Sequence, residues 1–330
     1  MLLISLCLWI KEDFTVSMKE PNTTLSVQEL IAQKSNRGLL SAIEKIIPKL
    51  LLAIAAVSVL TTIGIMVTLI VETLVFFSRV SVLDYIFGTE WYPFANSTAT
   101  YGVLPLIIGT LKITGIAIIV AVPIGIATAI YLSEYASERA RKMIKPVLEV
   151  LAGVPTIVYG FFALTFVTPI LRSIFPEVSI FNAISPGIVV GIMIIPMIAS
   201  LSEDAMNSVP NSMREGAYAL GSTKLEVALK IVLPAATSGI VASTVLAISR
   251  AIGETMIVAV AAGSTPRFDM DVTGSIQTMT AYIVQVATGD AGYGTTIYYS
   301  IYAVGFTLFL FTLVMNMLAQ FISKRFREEY

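Results

Sequence analysis

Residues Glu215–Pro234 read EGAYALGSTKLEVALKIVLP. Glu215 and Ala217 sit in a helix-forming run that Gly221 breaks. Ser222 and Thr223 then offer hydroxyls able to cap a second helix. Val227, Leu229, Ile231 and Leu233 follow, and Pro234 closes the stretch. The segment is too polar to enter lipid, yet it is bounded on both sides by long apolar runs. The reading is a helix–turn–helix that lies outside a membrane and presents a surface.

A membrane-crossing helix needs roughly 20 apolar residues. Six stretches qualify around this segment: Leu50–Phe77, Leu104–Leu132, Val147–Leu171, Pro186–Ser202, Ala235–Gly263 and Tyr298–Phe321. The composition agrees, with 56% hydrophobic and 13% charged residues, against about 25% charged in a soluble domain. The fold class expected is all-α, a polytopic membrane protein with about six spans. Pro123, Gly125, Gly153, Pro155 and Pro196 interrupt three spans. Neighbouring helices can satisfy backbone freed in that way, and repeated interruption suits a pore better than an anchor.

The Lys/Arg bias orients the spans. Sixteen basic residues fall in one set of connections: Lys11, Lys19, Lys34, Arg37, Lys45, Lys49, Arg139, Arg141, Lys142, Lys145, Arg214, Lys224, Lys230, Lys324, Arg325 and Arg327. Arg79, Arg172 and Arg267 are the three in the other. Both termini, and Glu215–Pro234, are thus expected on the cytoplasmic side. Residues 1–48 are expected as a cytoplasmic segment, with Gly38–Pro48 either an interfacial helix or the juxtamembrane start of the first span. Residues 49–330 form the membrane domain, with the polar loop at about 203–234. Met1–Ile10 is apolar but too short to cross, and translation from Met18 is an open alternative.

The composition removes several chemistries. The chain has no histidine, the commonest general base and metal ligand. Cys7 is its one cysteine, so no internal disulfide forms. No G-x-x-x-x-G-K-[ST] occurs to cradle ATP phosphates. The chain is expected to bind no cofactor and to be no enzyme.

Ionisable residues inside spans are costly and carry functional hypotheses. Glu72 and Lys112 fall in the first two spans. Glu149, Glu203 and Asp204 lie near span ends, where solvation or snorkelling accounts for them equally well. Arg250 and Glu254 fall near the middle of Ala235–Gly263. Their i, i+4 spacing puts both on one face of a continuous helix. An arginine at mid-bilayer costs roughly 2.5–3.5 kcal/mol, and its fork of donors suits phosphate or carboxylate. Glu254 is placed to hold it when the pore is empty. A buried ion pair that only positions helices is the other reading.

The spacing of Glu215, Gly216, Ala217, Gly221, Ile231, Leu233 and Pro234 resembles the EAA loop of ABC importer permeases, departing at Gly216 where a second alanine is common. Ser249–Met256 (SRAIGETM) resembles a segment of phosphate-specific ABC permeases. Leu151–Phe162 (LAGVPTIVYGFF), Gly109–Leu111, Pro123–Ile126 and Tyr131–Tyr135 (YLSEY) are similar to further stretches of that family. Met256 after Gly-Glu-Thr looks like the PstC-type rather than the PstA-type subunit. Together these cover roughly Gly102–Gly263.

The resemblance implies a MetI-like type I importer fold and ATP-driven phosphate import. It implies four kinds of partner: a PstA-type permease, a PstB-type ATPase dimer that uses ATP and Mg, an external PstS-type phosphate-binding protein, and the lipid bilayer of a prokaryotic plasma membrane. Glu215, Gly216, Ala217, Gly221, Ile231, Leu233 and Pro234 would dock on the ATPase, and Arg250 and Glu254 would belong to the phosphate pathway. Molybdate, tungstate or sulfate would suit an arginine equally. An ion-coupled carrier would call for inverted repeats, which are not evident.

Overall fold

The computed structural model describes residues 38–95, 98–289 and 291–325, so the expectations on residues 1–37 lie outside it. The chain divides into two compact units, Met1–Ile65 and Met66–Tyr330. The described part of the first unit is the leading portion of α1, Gly38–Phe77, one continuous helix with Pro48 in its interior. The helix crosses the boundary expected at residues 48 and 49. Its apolar side chains from Ile46 to Leu60 are exposed, as suits a helix whose solvent is lipid.

The second unit contains the end of α1 and all later elements. In order they are α2 (Val82–Phe87), strands β1 (Trp91–Tyr92) and β2 (Thr100–Tyr101), α3 (Leu104–Ile130) and α4 (Glu138–Gly153). Then come α5 (Thr156–Phe162), α6 (Thr168–Ile174), α7 (Ile184–Asn207), α8 (Asn211–Ala219), α9 (Lys224–Val227) and α10 (Leu233–Ala235). The last are α11 (Thr237–Ile252), α12 (Met256–Ala261), α13 (Met279–Thr288) and α14 (Thr296–Arg325). Strands β1 and β2 pair antiparallel, Trp91 opposite Tyr101. Three π-helical turns, Tyr131–Tyr135, Ala163–Val167 and Ala228–Val232, continue or join helices.

Among the described residues, five helices are long and apolar enough to cross a membrane, and the number reaches six only if the bent pair Lys224–Ala235 and Thr237–Ile252 is taken as one span, with Thr237–Ile252 as its crossing arm. The expected all-α, multi-pass class holds, but two spans differ from their hydropathy windows. The third does not begin at Val147. Residues 138–153 form the separate amphipathic helix α4, and the crossing helix runs from Thr156 to Ile174. Pro155 causes the break, because its ring disfavours helical geometry in the preceding residue, and Val154 is extended at φ −66°, ψ 130°. The fifth is broken as well, at Gly253–Thr255 between α11 and α12.

The core lies where α3, α5, α7, α11 and α12 meet, around Ile113, Ala117, Val190, Ile194, Ala247 and Ile257. Small residues set the α3–α7 approach. A Cβ on Gly187 would stand 2.8 Å from Ile116, and one on Gly191 3.0 Å from the Ala117 carbonyl. Such spacing of small residues lets membrane helices pack backbone to backbone. At the Leu104 end of α3, Phe76, Tyr85, Trp91, Tyr101 and Tyr282 form an edge-to-face cluster, with Trp91 and Tyr282 centroids 4.8 Å apart. At the Ile130 end, Ala129, Met206, Val209, Ala217, Val227 and Val232 form a second small core. That core seats the polar loop on the bundle.

Candidate functional site: the polar loop and the arginine cavity

Residues 211–235 fold as the helix–turn–helix their sequence announces. Helix α8 ends at Ala219, and Gly221 takes the left-handed conformation, φ +83°. Thr223 then caps α9. Its Oγ1 accepts from the Glu226 amide while the Glu226 carboxylate accepts from the Thr223 amide, a reciprocal capping box. These bonds and Lys230 hold the Glu226 carboxyl down at about 2. Of the residues expected to dock, Ala217 is buried against the bundle. Glu215, Gly216, Gly221 and Pro234 are exposed, and Ile231 and Leu233 are half-buried.

Val227 and Val232 are buried, whereas Leu229 is exposed. The π-turn over Ala228–Val232 widens the helix by one residue per turn, so the period departs from 3.6. Tyr218, Leu220 and Leu225 form exposed apolar surface on the loop, Leu220 at 89%. Helix α10 then bends by 71° into α11, and α11 carries Arg250 two residues before its end.

Arg250 is exposed and lines a cavity of about 510 Å³ with Lys145, Glu149, Met197, Ser200, Glu203, Asp204 and Leu246 among its walls. Among the described residues it makes no salt bridge. The expected shared helix face with Glu254 is not formed. Helix α11 stops at Ile252, and Glu254 lies in the break, 4% exposed. Its Oε1 accepts from the Met256 and Ile257 amides at 3.1 and 3.3 Å, and its carbonyl accepts from Thr280 Oγ1 at 2.7 Å. Glu254 therefore caps α12, where a carboxylate complements the helix dipole, and does not hold Arg250. Gly253 is the sequence signal for this stop: glycine commonly follows a helix end.

Charge counting also understated the polar centre beside the cavity. Glu203 is fully buried, not solvated at a span end. Arg141 Nε lies 3.6 Å from its Oε1, and Lys145 Nζ lies 3.0 Å from its Oε2 as an ion pair off the hydrogen-bond line. Asn207 donates to Glu203 Oε1, and Ser133 bridges Asn207 and Glu134. Arg214 of α8 pairs with Glu134 at 3.1 Å and also donates to the carbonyls of Met206 and Val209. One polar cluster thus links the polar loop, the end of α3, α4 and the cavity wall. Basic residues read only as orientation markers are its members.

A bundle of broken membrane helices, with a capped loop packed on one end and an unpaired arginine facing a cavity, defines a multi-pass permease. Residues 121–328 match the family described as "Binding-protein-dependent transport system inner membrane component", and the chain belongs to that family. It is 33% identical over 307 residues to the probable ABC transporter permease protein YqgH of Bacillus subtilis, covering 91% of this chain and 97% of that one. It is 34% identical over 264 residues to the phosphate transport system permease protein PstC of Xylella fastidiosa, covering 74% and 79%. Among solved structures it is similar in fold to a chain of a bacterial alginate ABC transporter, with TM-score 0.58, 17% identity and coverage of 84% and 95%. It is also similar to a chain of the MetNI methionine ABC transporter, with TM-score 0.51, 16% identity and coverage of 69% and 95%.

Proposed function

We propose that this chain is one of two permease subunits of an ATP-driven phosphate importer in a prokaryotic plasma membrane, with both termini cytoplasmic. The observation that carries the reading is the single bent path from loop to arginine. The Gly221 turn leads through α9, the π-turn and α10 into α11, and α11 ends beside Arg250. A push on the loop is a push on the helix that positions the guanidinium.

The exposed Tyr218, Leu220 and Leu225 supply the apolar surface that a protein partner would cover. That partner is a separate ATPase dimer, which holds the ATP and Mg. Glu215, Gly216, Ala217, Gly221, Ile231, Leu233 and Pro234 form or support the docking element. An external binding protein delivers phosphate, and a second, PstA-type permease completes the pathway opposite the cavity. The relatives named phosphate transport permeases support phosphate over other oxyanions.

Arg250 offers a transient cationic stop. A pathway site must bind well enough to admit the ion and weakly enough to release it. Glu254 belongs to the pathway by fixing the break that exposes Arg250. ATP binding shifts the permeases between two packed states, which is the differential interaction that coupling requires. The test is co-purification of an ATPase with this chain, followed by ATP-dependent uptake of labelled phosphate into vesicles, with arsenate, sulfate and molybdate as competitors. Uptake of sulfate or molybdate in preference to phosphate would reassign the substrate. Absence of any ATPase partner would remove the importer reading.

A further inference from the structure

Lys112 lies eight residues into α3, roughly 12 Å along the helix from Leu104 at 1.5 Å per residue. A lysine at such depth needs a partner, and the structure supplies one from far along the chain. The connection between α12 and α13, residues 262–278, folds back onto α3. Lys112 Nζ donates to Asp269 Oδ1 at 2.8 Å and to the Asp271 carbonyl at 2.6 Å. The Lys112 side chain is 5% exposed, while that of Asp269 is 42% exposed. The cation is therefore enclosed, and the carboxylate covering it is reachable from outside.

The remainder of this connection is fixed without Asp269. Its far end is seated on α3, where a Cβ on Gly109 would meet the Gln277 carbonyl at 2.1 Å and Thr110 Oγ1 accepts from the Met279 amide. Its middle is held by the amides of Ser179 and Ala183, which donate to the carbonyls of Thr273 and Val272. Asp271 is committed within the loop. Its carboxylate accepts from the Thr273 hydroxyl and amide, and these bonds hold its pKa below the usual range. Asp269 has a different environment: Oδ1 accepts from Lys112 and from the Asp271 amide at 3.1 Å. Two converging donors, one charged, on one anionic oxygen is the arrangement an oxyanion takes. Arg267 stands nearby, its Nη1 3.1 Å from the place of a Cβ on Gly274.

We propose that the Lys112 ammonium and the Asp271 amide form a second anion-binding station, on the side that the basic-residue bias assigns to the exterior, and that Asp269 occupies it in place of substrate. An arriving tetrahedral oxyanion displaces the Asp269 carboxylate and takes its two donors. The loop frame, held by its other bonds, stays in place. The station holds an anion before it reaches Arg250, and its assignment to phosphate rests on the proposed function.

The experiment uses the assembled transporter in vesicles. On a Cys7→Ser background, Asp269→Cys places a thiol at the station. Inorganic phosphate is expected to slow its labelling by a membrane-impermeant maleimide. Protection by sulfate or molybdate but not phosphate supports the station and overturns the choice of phosphate. Protection by none of the three overturns the station. In uptake, Asp269→Asn is expected to lower the half-saturating phosphate concentration, because it removes the competing carboxylate. The pair Lys112→Met and Asp269→Leu removes both charges without stranding either, and is expected to raise that concentration about tenfold. An unchanged value in the double variant, with normal assembly, overturns the proposal.

Discussion

Arg214 and Glu134, eighty residues apart, meet at 3.1 Å with their side chains 13% and 5% exposed. Arg214 stands on the helix that begins the polar loop, and Glu134 on the π-turn that ends α3. The loop is therefore clamped to the bundle by charge as well as by Ala217, Val227 and Val232. Breaking a buried pair by removing one partner costs about 3–5 kcal/mol, because the other charge is left uncompensated. Arg214→Met is expected to lower thermal stability by about that amount. Glu134→Gln, which leaves Arg214 its two carbonyl acceptors, is expected to cost less. Equal, negligible losses in a detergent-solubilised unfolding series would remove the clamp.

Gly221 requires its residue type for its backbone. No atom lies within 4 Å of a Cβ placed there, so space is not the constraint; φ +83° is. Gly221→Ala is expected to cost about 1 kcal/mol, with coupling retained. Gly221→Asp adds a charge on the exposed turn and, if the ATPase docks there as proposed, is expected to uncouple ATP hydrolysis from transport. ATPase activity measured against uptake checks both, and tight coupling in Gly221→Asp would argue against docking at this turn.

Glu226 gives the loop a defined acid response. The Thr223 amide, then Lys230 and the Thr223 hydroxyl, hold its carboxyl at about 2. A carboxyl with a depressed folded-state pKa stabilises above its unfolded value and loses that contribution as pH falls through the folded value. The cap is therefore complete above the ordinary value of 4.5 and is lost between about 4.5 and about 2. Hydrogen exchange at the Thr223 amide, which donates to the Glu226 carboxylate, is expected to be protected at about pH 7 and progressively less so, after correction for intrinsic rates, below about pH 4. Glu226→Gln is expected to abolish the pH dependence; a profile identical to that of the unsubstituted chain would contradict the assignment.

Glu254 separates capping from charge pairing. Its acceptor role towards Met256 and Ile257 survives Glu254→Gln but not Glu254→Leu. The glutamine variant is expected to keep most of the uptake, and the leucine variant to lose about tenfold or more, as removal of a capping acceptor worth about 1 kcal/mol and burial of an unpaired backbone end predict. Equal, severe losses in both would restore a requirement for the charge itself.

The sequence carries the class and the loop in plain form. Long apolar runs give the spans by length alone, and Gly221, Thr223 and Glu226 announce a turn, a cap and its partner within six residues. The two breaks that hydropathy does not report have a shared cause. A hydropathy window averages across breaks, so it merges α4 with the third span through Val154–Pro155 and carries the fifth through Gly253–Thr255. The i, i+4 rule then applied to Arg250 and Glu254 a helix that ends at Ile252. The pairing of Glu203 and Glu134 is not legible in the sequence for another reason. Their partners Arg141, Lys145 and Arg214 are distant or on other helices, and no local spacing reports such a meeting. Lys112 was visible as an anomaly, but Asp269 lies 157 residues away.

Arg250 makes no salt bridge among the described residues and sits on the helix that continues from the polar loop, and it is the proposed contact for the transported anion. The most direct measurement is ATP-dependent uptake of labelled phosphate by the reconstituted complex, comparing the unsubstituted chain with Arg250→Ala at matched assembly and ATPase content. Uptake is expected from the former, with a loss of about a hundredfold in the latter, the weight of one charge-assisted contact of about 3 kcal/mol. Normal uptake by the assembled Arg250→Ala complex would contradict it.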